Sequence, residues 1–203
     1  MSSHHAFVNH PWTRAIYPTQ DAAGNIERYK MRQTKGMQDP KSTFFVAVNG
    51  AEDDPKAPVV GYSKWTINRE SQAENVWNVP YETVPVPIGG RQDASDVPGE
   101  ALHQMRLRVY KGDPYILLHF LVADVDHQRK GIGGKLLKWG LQQSDETGLP
   151  AYLEATHDGY PLYYKNGFRT VDEMSVDTAP WGLEEPIELK CMKHEPGSRS
   201  GTR

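Results

Sequence analysis

Hydrophobic and polar positions follow their clearest pattern between residues 115 and 141. Residues 115–122 form an unbroken apolar and aromatic run, whose length favours a buried strand over a helix. A polar segment follows, and Gly131, Gly133 and Gly134 then fall within four positions. Beyond them, apolar residues recur every three to four positions, as on one face of a helix. The pattern therefore predicts a strand, a glycine-rich turn and a helix, in that order.

The remaining periodicity predicts an α/β domain with helices flanking a sheet. The predicted strands span residues 44–49, 59–67, 115–122, 151–155, 168–176 and 186–193. The predicted helices span residues 11–17, 25–36, 99–111, 160–166 and the segment from the glycine-rich turn to Gly148. Together these elements predict a single domain over residues 11–193.

Three segments are predicted to lie outside regular structure. Residues 68–98 contain four prolines and the pair Gly89-Gly90, which interrupt helices and strands. A loop of this length inside a domain is usually functional or disordered, so it is interpreted as a substrate lid or a mobile insertion. Residues 1–10 and 194–203 are polar and are predicted to be disordered termini.

The strand–turn–helix unit predicts a phosphate-binding site. Its glycines let several backbone N–H groups converge beside the positive end of the helix dipole. A nucleoside-triphosphate loop is disfavoured, because Lys135 is followed by Leu136 rather than by Ser or Thr. A dinucleotide fingerprint would require Gly or Ala at position 136. The remaining pattern is that of residues 128–133, QRKGIG, which match Q/R-x-x-G-x-G/A.

Two motifs carry a family resemblance. Residues 128–133 resemble the pyrophosphate-binding turn of the GNAT superfamily of acetyl-CoA-dependent N-acetyltransferases. Residues 162–168, LYYKNGF, resemble the L-Y-x-K-x-G-F signature of the same superfamily, at the expected distance downstream. The resemblance covers residues 44–192, and the LEAT at 153–156 and PWG at 180–182 are similar to small fungal members.

The resemblance implies both a fold and a reaction. The fold would be a mixed central β-sheet, splayed between two parallel strands and flanked by helices. The reaction would move an acetyl group from acetyl-CoA to a primary amine, most simply of a small molecule, by direct attack in a ternary complex. Two alternatives stay open: acetylation of a protein lysine or N-terminus, and an acyl-CoA-binding regulatory module that has lost catalysis.

One feature departs from the family pattern. Members usually begin with a strand and a full helix before the strand that corresponds to residues 44–49. Too few residues precede Phe44 here, and none forms a convincing first strand. Either the chain is shortened or something else covers that edge of the sheet, because an uncovered edge promotes aggregation.

The resemblance also assigns the residues that would hold acetyl-CoA. The pyrophosphate would lie on backbone N–H groups of the glycine-rich turn, and the pantetheine would pair like an extra strand beside residues 121–123. The residues assigned to acetyl-CoA are Leu121, Val122, Ala123, Gln128, Arg129, Lys130, Gly131, Ile132, Gly133, Gly134, Tyr163 and Tyr164.

The acid candidate is Tyr163, four residues before Gly167, where the family carries its thiolate-protonating tyrosine. A plain core aromatic is the alternative interpretation of Tyr163. Its neighbour Tyr164 points elsewhere on a helix, so packing or a contact with the cofactor is expected of it.

The base candidate is His119, twelve residues before Gly131, where arylalkylamine acetyltransferases carry a base histidine. Strand alternation predicts that His119 shares a face with Leu117, Leu121 and Ala123. An ordinary histidine pKa of about 6.5 suits proton uptake at neutral pH. Rivals are Glu154, acting through water, and Asp124; a packed core histidine is the alternative.

The composition limits the kinds of partner, membrane contact and metal site that are expected of the protein. The net charge of −3 provides no basic field for nucleic acid or an anionic membrane. No stretch approaches the roughly 20 apolar residues of a membrane span, and no apolar signal region begins the chain. The single cysteine, Cys191, excludes an internal disulfide, and the histidines near the start lack a second ligand cluster for a metal. A cytoplasmic protein that needs no metal, as a monomer or homodimer, is therefore expected.

Overall fold

A single sheet of six strands organises the protein. The structure, a computed structural model, describes residues 10–18, 30, 33–34, 36–51, 54, 56–86 and 89–198. The strands are β1 (Ser42–Val48), β2 (Val59–Asn68), β3 (Tyr115–Ala123), β4 (Ala151–Ala155), β5 (Arg169–Val176) and β6 (Ile187–His194). The helices are α1 (Pro11–Ile16), α2 (Glu74–Trp77), α3 (Gln92–Tyr110), α4 (Ile132–Thr147) and α5 (Tyr160–Lys165).

The strand order is β1-β2-β3-β4-β6-β5. Only β3 and β4 pair in parallel, and the four other neighbouring pairs are antiparallel. The predicted fold class, a mixed sheet flanked by helices, is therefore confirmed.

Strand β4 shows how the two faces of the sheet are covered. Tyr152 packs against Met105 and Tyr110 of α3, in the cluster that also holds α1. Leu153 packs on the opposite face, in the cluster that holds Leu137 of α4. Side chains of consecutive strand residues point to opposite faces, which explains the separation. We refer to these two faces as the α3 face and the α4 face.

Helix α3 corrects the prediction of a loop over residues 68–98. The helix begins at Gln92, seven residues before the predicted start, and it contains Pro98. A proline inside a helix removes one hydrogen bond and costs about 3 kcal/mol. Here Ala94 and Pro98 are buried, so the packing of the first two turns offsets that cost. The prediction that proline excludes a helix from residues 92–98 was wrong.

The segment before α3 lies along the outer side of that helix. The Gln92 amide donates to the Val84 carbonyl over 3.1 Å, and His103 donates to the Val79 carbonyl over 2.8 Å. Tyr81 donates from its hydroxyl to Asp96 over 3.4 Å. Gln92, Asp96 and His103 are at helical spacing along one side of α3. Ala94 and Pro98, which are buried, lie on the other side. The role of the segment as a substrate lid stays a prediction.

The ends of the domain also differ from the predictions. Strand β6 extends to His194, which is 3% exposed, and the Gly197 N–H donates to Asp145 Oδ1 over 2.7 Å. His194 therefore belongs to the sheet, and one hydrogen bond joins the segment after it to α4, whereas disorder was predicted from residue 194 onward. Residues 1–9 and 199–203, and most of the predicted helix 25–36, lie outside the described residues.

Within the described residues, no strand pairs with the outer edge of β1. No helix in the same part of the chain is long and apolar enough to cross a membrane.

Candidate active site

A notch opens where β3 and β4 stop pairing. The parallel ladder has three rungs, of which the last joins Leu118 to Leu153. Strand β3 continues to Ala123 and β4 to Ala155 without a further rung between them. The predicted splay of two parallel strands is therefore confirmed. Among the described residues, no strand pairs with residues 121–123 on the β4 side, so their backbone could pair with another extended molecule.

A β-bulge positions His119 beside this notch. Lys64 pairs with Phe120 and Trp65 with Leu118, so His119 is an extra residue in β3. Its Nε2 lies 2.5 Å from Oγ1 of Thr66, the β2 residue that follows Trp65.

The bulge corrects the predicted orientation of His119. Leu121 packs with the cluster on the α4 face, whereas Thr66, which follows the buried Trp65 of that cluster, lies on the α3 face. His119 and Leu121 therefore point to opposite faces, and the predicted common face was wrong. An extra residue in a strand breaks the alternation that the prediction assumed, and such bulges are frequent next to active sites.

The glycine-rich turn ends in an uncapped helix N-terminus. Gly131 is the N-cap of α4, with φ of 82° and no side chain that caps the helix. The first intrahelical bond runs from the Lys135 N–H to the Gly131 carbonyl over 3.1 Å. The N–H groups of residues 132–134 therefore have no acceptor within the helix, which makes this end a candidate anion site.

The three glycines of the turn have different surroundings. A Cβ added at Gly131 or at Gly134 would meet no atom within 4 Å. A Cβ added at Gly133 would come within 2.9 Å of Leu162 Cδ2, in α5. Gly131 and Gly134 thus border open space in front of the helix, and Gly133 allows α4 and α5 to pack closely.

Polar residues precede the turn. Gln128, Arg129 and Lys130 are exposed, and the Lys130 ammonium donates to the Asp126 carbonyl over 2.9 Å. Arg129 has φ of 59°, a left-handed conformation that is uncommon outside glycine. Arg129 and Lys130 thus lie immediately before the uncapped end of the helix.

Tyr163 is buried next to the notch, on the α4 face. Its side chain is 8% exposed and its ring lies 6.1 Å from that of Phe168, in the same cluster as Leu153. Burial raises the pKa of Tyr163, so the phenol keeps its proton throughout the physiological range. Tyr164 is 50% exposed and lies under the guanidinium of Arg169, at 4.3 Å. The predicted difference in orientation between the two tyrosines is confirmed.

Glu154 is held in a buried ion pair on the α3 face. Its carboxylate accepts from Arg106 Nε and Nη2 over 2.7 and 2.8 Å, and from the Tyr110 hydroxyl over 2.8 Å. Burial acts to raise the pKa of Glu154, but Arg106 and the hydrogen bonds outweigh it and hold the pKa below its usual value. A carboxylate with a lowered pKa is a weak base.

The third base candidate, Asp124, follows the end of β3. Its Oδ1 accepts from the Asp126 N–H over 3.1 Å and lies 3.2 Å from His127 Nδ1. The hydrogen bond with His127 is the main reason that the pKa of Asp124 is lowered. Asp124 thus shapes the turn before the anion site.

Sequence reasoning missed Arg106 and Tyr110. The periodicity of the predicted helix was assigned through Leu102, Met105 and Val109, and it is uninformative about charged residues beside that stripe. Arg106 and Tyr110 are four residues apart and therefore share one side of α3. That spacing was the only local signal for the two residues. Their partner Glu154 lies 48 residues from Arg106, so the local pattern does not indicate it.

Among the described residues, no group of three His, Cys, Asp or Glu side chains is placed to hold a metal ion.

Comparisons with known proteins agree with this architecture. A model of the acetyltransferase (GNAT) family matches residues 7–168. An acetyltransferase from the fungus Stachybotrys chartarum is 25% identical over 170 residues, which cover 79% of this chain and 67% of that protein.

Solved structures share the fold at low sequence identity. Arylalkylamine N-acetyltransferase 2 from Aedes aegypti has a TM-score of 0.65 and 16% identity, with 93% of this chain and 88% of that chain covered. The structure of histone acetyltransferase HPA2 and related acetyltransferase from Corynebacterium glutamicum has a TM-score of 0.58 and 17% identity, with 98% and 89% covered.

The predicted family and its likeness to fungal members are thus confirmed. The family match extends over both motifs, from before α1 to the end of the LYYKNGF segment. This chain belongs to the GNAT family of acetyltransferases and is an acyltransferase.

Proposed function

We propose that the protein transfers an acetyl group from acetyl-CoA to the primary amine of a small molecule, by direct attack within a ternary complex. The observation that carries the proposal is the notch between β3 and β4, which has His119 on one face and Tyr163 on the other. A base and an acid on opposite faces of one cleft suit a reaction that takes a proton from one reactant and gives one to another.

The residues of the chain fit the molecule that the family uses. Acetyl-CoA supplies an acetyl group activated as a thioester. The N–H groups of residues 132–134 would hold its pyrophosphate, with Arg129 and Lys130 neutralising charge. The backbone of residues 121–123 would pair with the pantetheine amides, and Tyr164 offers an exposed ring for a further contact.

His119 would take a proton from the acceptor ammonium, which frees the nitrogen lone pair. The nitrogen then bonds to the thioester carbonyl carbon, and the carbon–sulfur bond breaks. Tyr163 would give its proton to the departing thiolate, since burial keeps the phenol protonated until that charge develops. The attacking nitrogen still carries one proton more than the amide product, and that proton would return to the Tyr163 phenolate while His119 releases its own to solvent. Glu154 is not our choice of base, because its hydrogen bonds with Arg106 and Tyr110 stabilise the ionised carboxylate in place.

A small acceptor is favoured by the covering of the α3 face. Asp93 of α3 accepts from Trp181 Nε1 over 2.8 Å, and Arg91 donates to the Trp181 carbonyl over 3.0 Å. These bonds tie the turn between β5 and β6 to the start of α3, so helix and turn form a wall on the side of His119. An extended polypeptide would need that side to be open.

The direct test measures thiol release and acetylated product with acetyl-CoA and a panel of polyamines, arylalkylamines, amino acids and histone peptides. We expect turnover with at least one small amine and none with the peptides. Turnover restricted to peptides would reverse the choice of acceptor. Tight acetyl-CoA binding without turnover on any acceptor would favour the regulatory module.

His119→Ala should lower kcat/KM most at acidic and neutral pH, where the acceptor amine is protonated. Raising the pH deprotonates the amine without help from the protein, so part of the loss should be recovered. The pH dependence of kcat/KM for both proteins measures this. Parallel profiles for variant and wild type would argue against a base at position 119.

Gly134→Ala should stabilise the protein by up to about 1 kcal/mol while lowering its affinity for acetyl-CoA roughly tenfold. The open space at Gly134 accepts a methyl group, and alanine is the better helix former. Side chains tilt toward the helix N-terminus, so that methyl group would occupy the approach to the free N–H groups. Thermal unfolding and calorimetry measure the two effects.

Gln142→Ala is the matched control, at an exposed position further along α4, and should leave affinity unchanged. An affinity for acetyl-CoA in Gly134→Ala equal to that of the wild type would remove the pyrophosphate from this helix end.

A further inference from the structure

His119 and Glu154 are the first residues beyond the last rung of the parallel ladder. Leu118 and Leu153 form that rung, and the next residue on each strand points to the α3 face. Parallel neighbours lie about 4.8 Å apart before they diverge, so the imidazole and the carboxylate flank the mouth of the notch. This juxtaposition places a negative group beside the base that the proposed function requires.

Arg106 is fixed on the far side of that carboxylate. Two of its nitrogen atoms donate to the two carboxylate oxygens, and the Tyr110 hydroxyl donates to one of them as well. The Glu154 side chain is only 8% exposed, so water screens its charge weakly. The charge that His119 experiences is therefore that of the pair, and either member alone would alter it.

We propose that Arg106 is a positioning residue for acetyl transfer: its fork neutralises Glu154, so that the His119 imidazole stays uncharged and can accept the proton of the amine. This inference rests on the base role of His119 in the proposed function. Neither Glu154 nor Arg106 would touch a reacting atom. Together they would act on the reaction through the protonation of His119.

The physical reason is the response of an imidazole to a neighbouring charge. An unpaired carboxylate stabilises imidazolium, so the histidine would hold its proton and lose its capacity as a base near neutral pH. An unpaired guanidinium destabilises imidazolium and has the opposite effect. In a bidentate pair the two charges act on the imidazole in opposite directions and therefore offset one another.

Several other titratable groups lie on the α3 face with His119. Among the described residues of the α3 face and of α3, the groups that carry charge or titrate include Tyr62 and Lys64 on β2, Tyr115 on β3, Tyr152 and Glu154 on β4, Asp172 on β5, Cys191 and Lys193 on β6, and Arg106, Arg108 and Tyr110 on α3. Arg108 is paired with Asp172, and Lys193 with Glu195. The tyrosines and the buried cysteine are uncharged at neutral pH. The Lys64 ammonium is directed toward β1, where it lies 5.7 Å from the centroid of an aromatic ring.

The test is an NMR titration of the His119 imidazole in the resting protein. The chain has eight histidines, so the His119 signal is assigned by its absence from His119→Gln. We expect Arg106→Gln to raise the pKa of His119 by about one unit and Glu154→Gln to lower it by a similar amount. The double variant should titrate near the wild type, because neither charge remains, and Arg106→Lys should do the same, because its positive charge is kept.

Opposite shifts are the signature, since loss of packing alone gives no reason for the two single variants to move the pKa of His119 in opposite directions. Equal shifts, or none, would overturn the inference. If Arg106→Gln does not fold, the direction found in Glu154→Gln decides: an unchanged or raised pKa contradicts the proposal.

The kinetic counterpart separates this inference from the proposed function. In active protein, the acidic limb of the kcat/KM profile should follow the titration in direction and size. The titration needs no turnover. A wild type that acetylates no amine would therefore defeat the proposed function, whereas normal turnover with unshifted titrations would defeat only the role of Arg106.

Discussion

Tyr163→Phe should lower kcat by about 10²–10⁴-fold, the usual contribution of a general acid. The substitution removes one hydroxyl and keeps the ring, which packs against Phe168 at 6.1 Å. Folding and affinity for acetyl-CoA should therefore be nearly unchanged. We expect the loss in kcat rather than in substrate affinity, because the hydroxyl acts when the thiolate departs, after both substrates have bound.

The neighbouring tyrosine provides the control for that experiment. Tyr164 is 50% exposed, so Tyr164→Phe should change kcat only slightly. Steady-state kinetics on both variants, with unfolding curves to confirm the fold, are sufficient. A severe loss in Tyr164→Phe with normal turnover in Tyr163→Phe would reverse the assignment of the acid. Normal turnover in both would strengthen the reading of the chain as a regulatory module.

The sequence allowed the prediction of features that depend on local pattern. Each of these patterns lies within about ten residues: the apolar run of β3, the glycines before α4 and the alternation in β6. The uncapped N-terminus of α4 followed for the same reason, because a helix N-terminus preceded by glycine is defined by neighbouring residues. The different orientations of Tyr163 and Tyr164 required only the angular spacing of a helix.

Features that depend on pairing between distant segments could not be predicted in the same way. His119 is an extra residue only in relation to the register of β2, and no local pattern records that register. Strand alternation therefore placed His119 on the correct face relative to Leu117 and on the wrong one relative to Leu121.

Helix α3 illustrates tertiary packing that overrides a local signal. Pro98 predicted that the helix begins only after it, but the burial of Pro98 with Ala94 compensates for the missing hydrogen bond. The ion pair between Arg106 and Glu154 joins that helix to β4, and neither residue indicates the other in the sequence. The glycine-rich turn was thus predictable from the sequence, and the surroundings of His119 and Glu154 much less so.

Arg106→Met should destabilise the protein by about 3 kcal/mol at neutral pH. The variant leaves the Glu154 carboxylate without its cation at a position where its side chain is only 8% exposed. Breaking a buried pair in this way usually costs about 3–5 kcal/mol, and we choose the lower end because the Arg106 side chain is 33% exposed. Urea unfolding at several pH values measures the difference in the free energy of unfolding.

The pH dependence identifies the cause. In the wild type, Arg106 and the hydrogen bonds outweigh burial and lower the pKa of Glu154, so the stability from this group is present at neutral pH and is lost as the pH falls through the folded pKa. In Arg106→Met, burial without the cation should raise that pKa, so stability is lost as the pH rises instead. The difference between the two proteins should therefore grow from about pH 4 to pH 7.

The double variant Arg106→Met/Glu154→Gln should recover most of the lost stability, because a neutral amide can still accept from Tyr110 while no charge remains buried. A deficit in Arg106→Met that is independent of pH and persists in the double variant would mean that the Arg106 side chain stabilises the protein by packing. Arg106 would then contribute its methylene groups to the contact between α3 and the sheet, and its charge would be unimportant for stability.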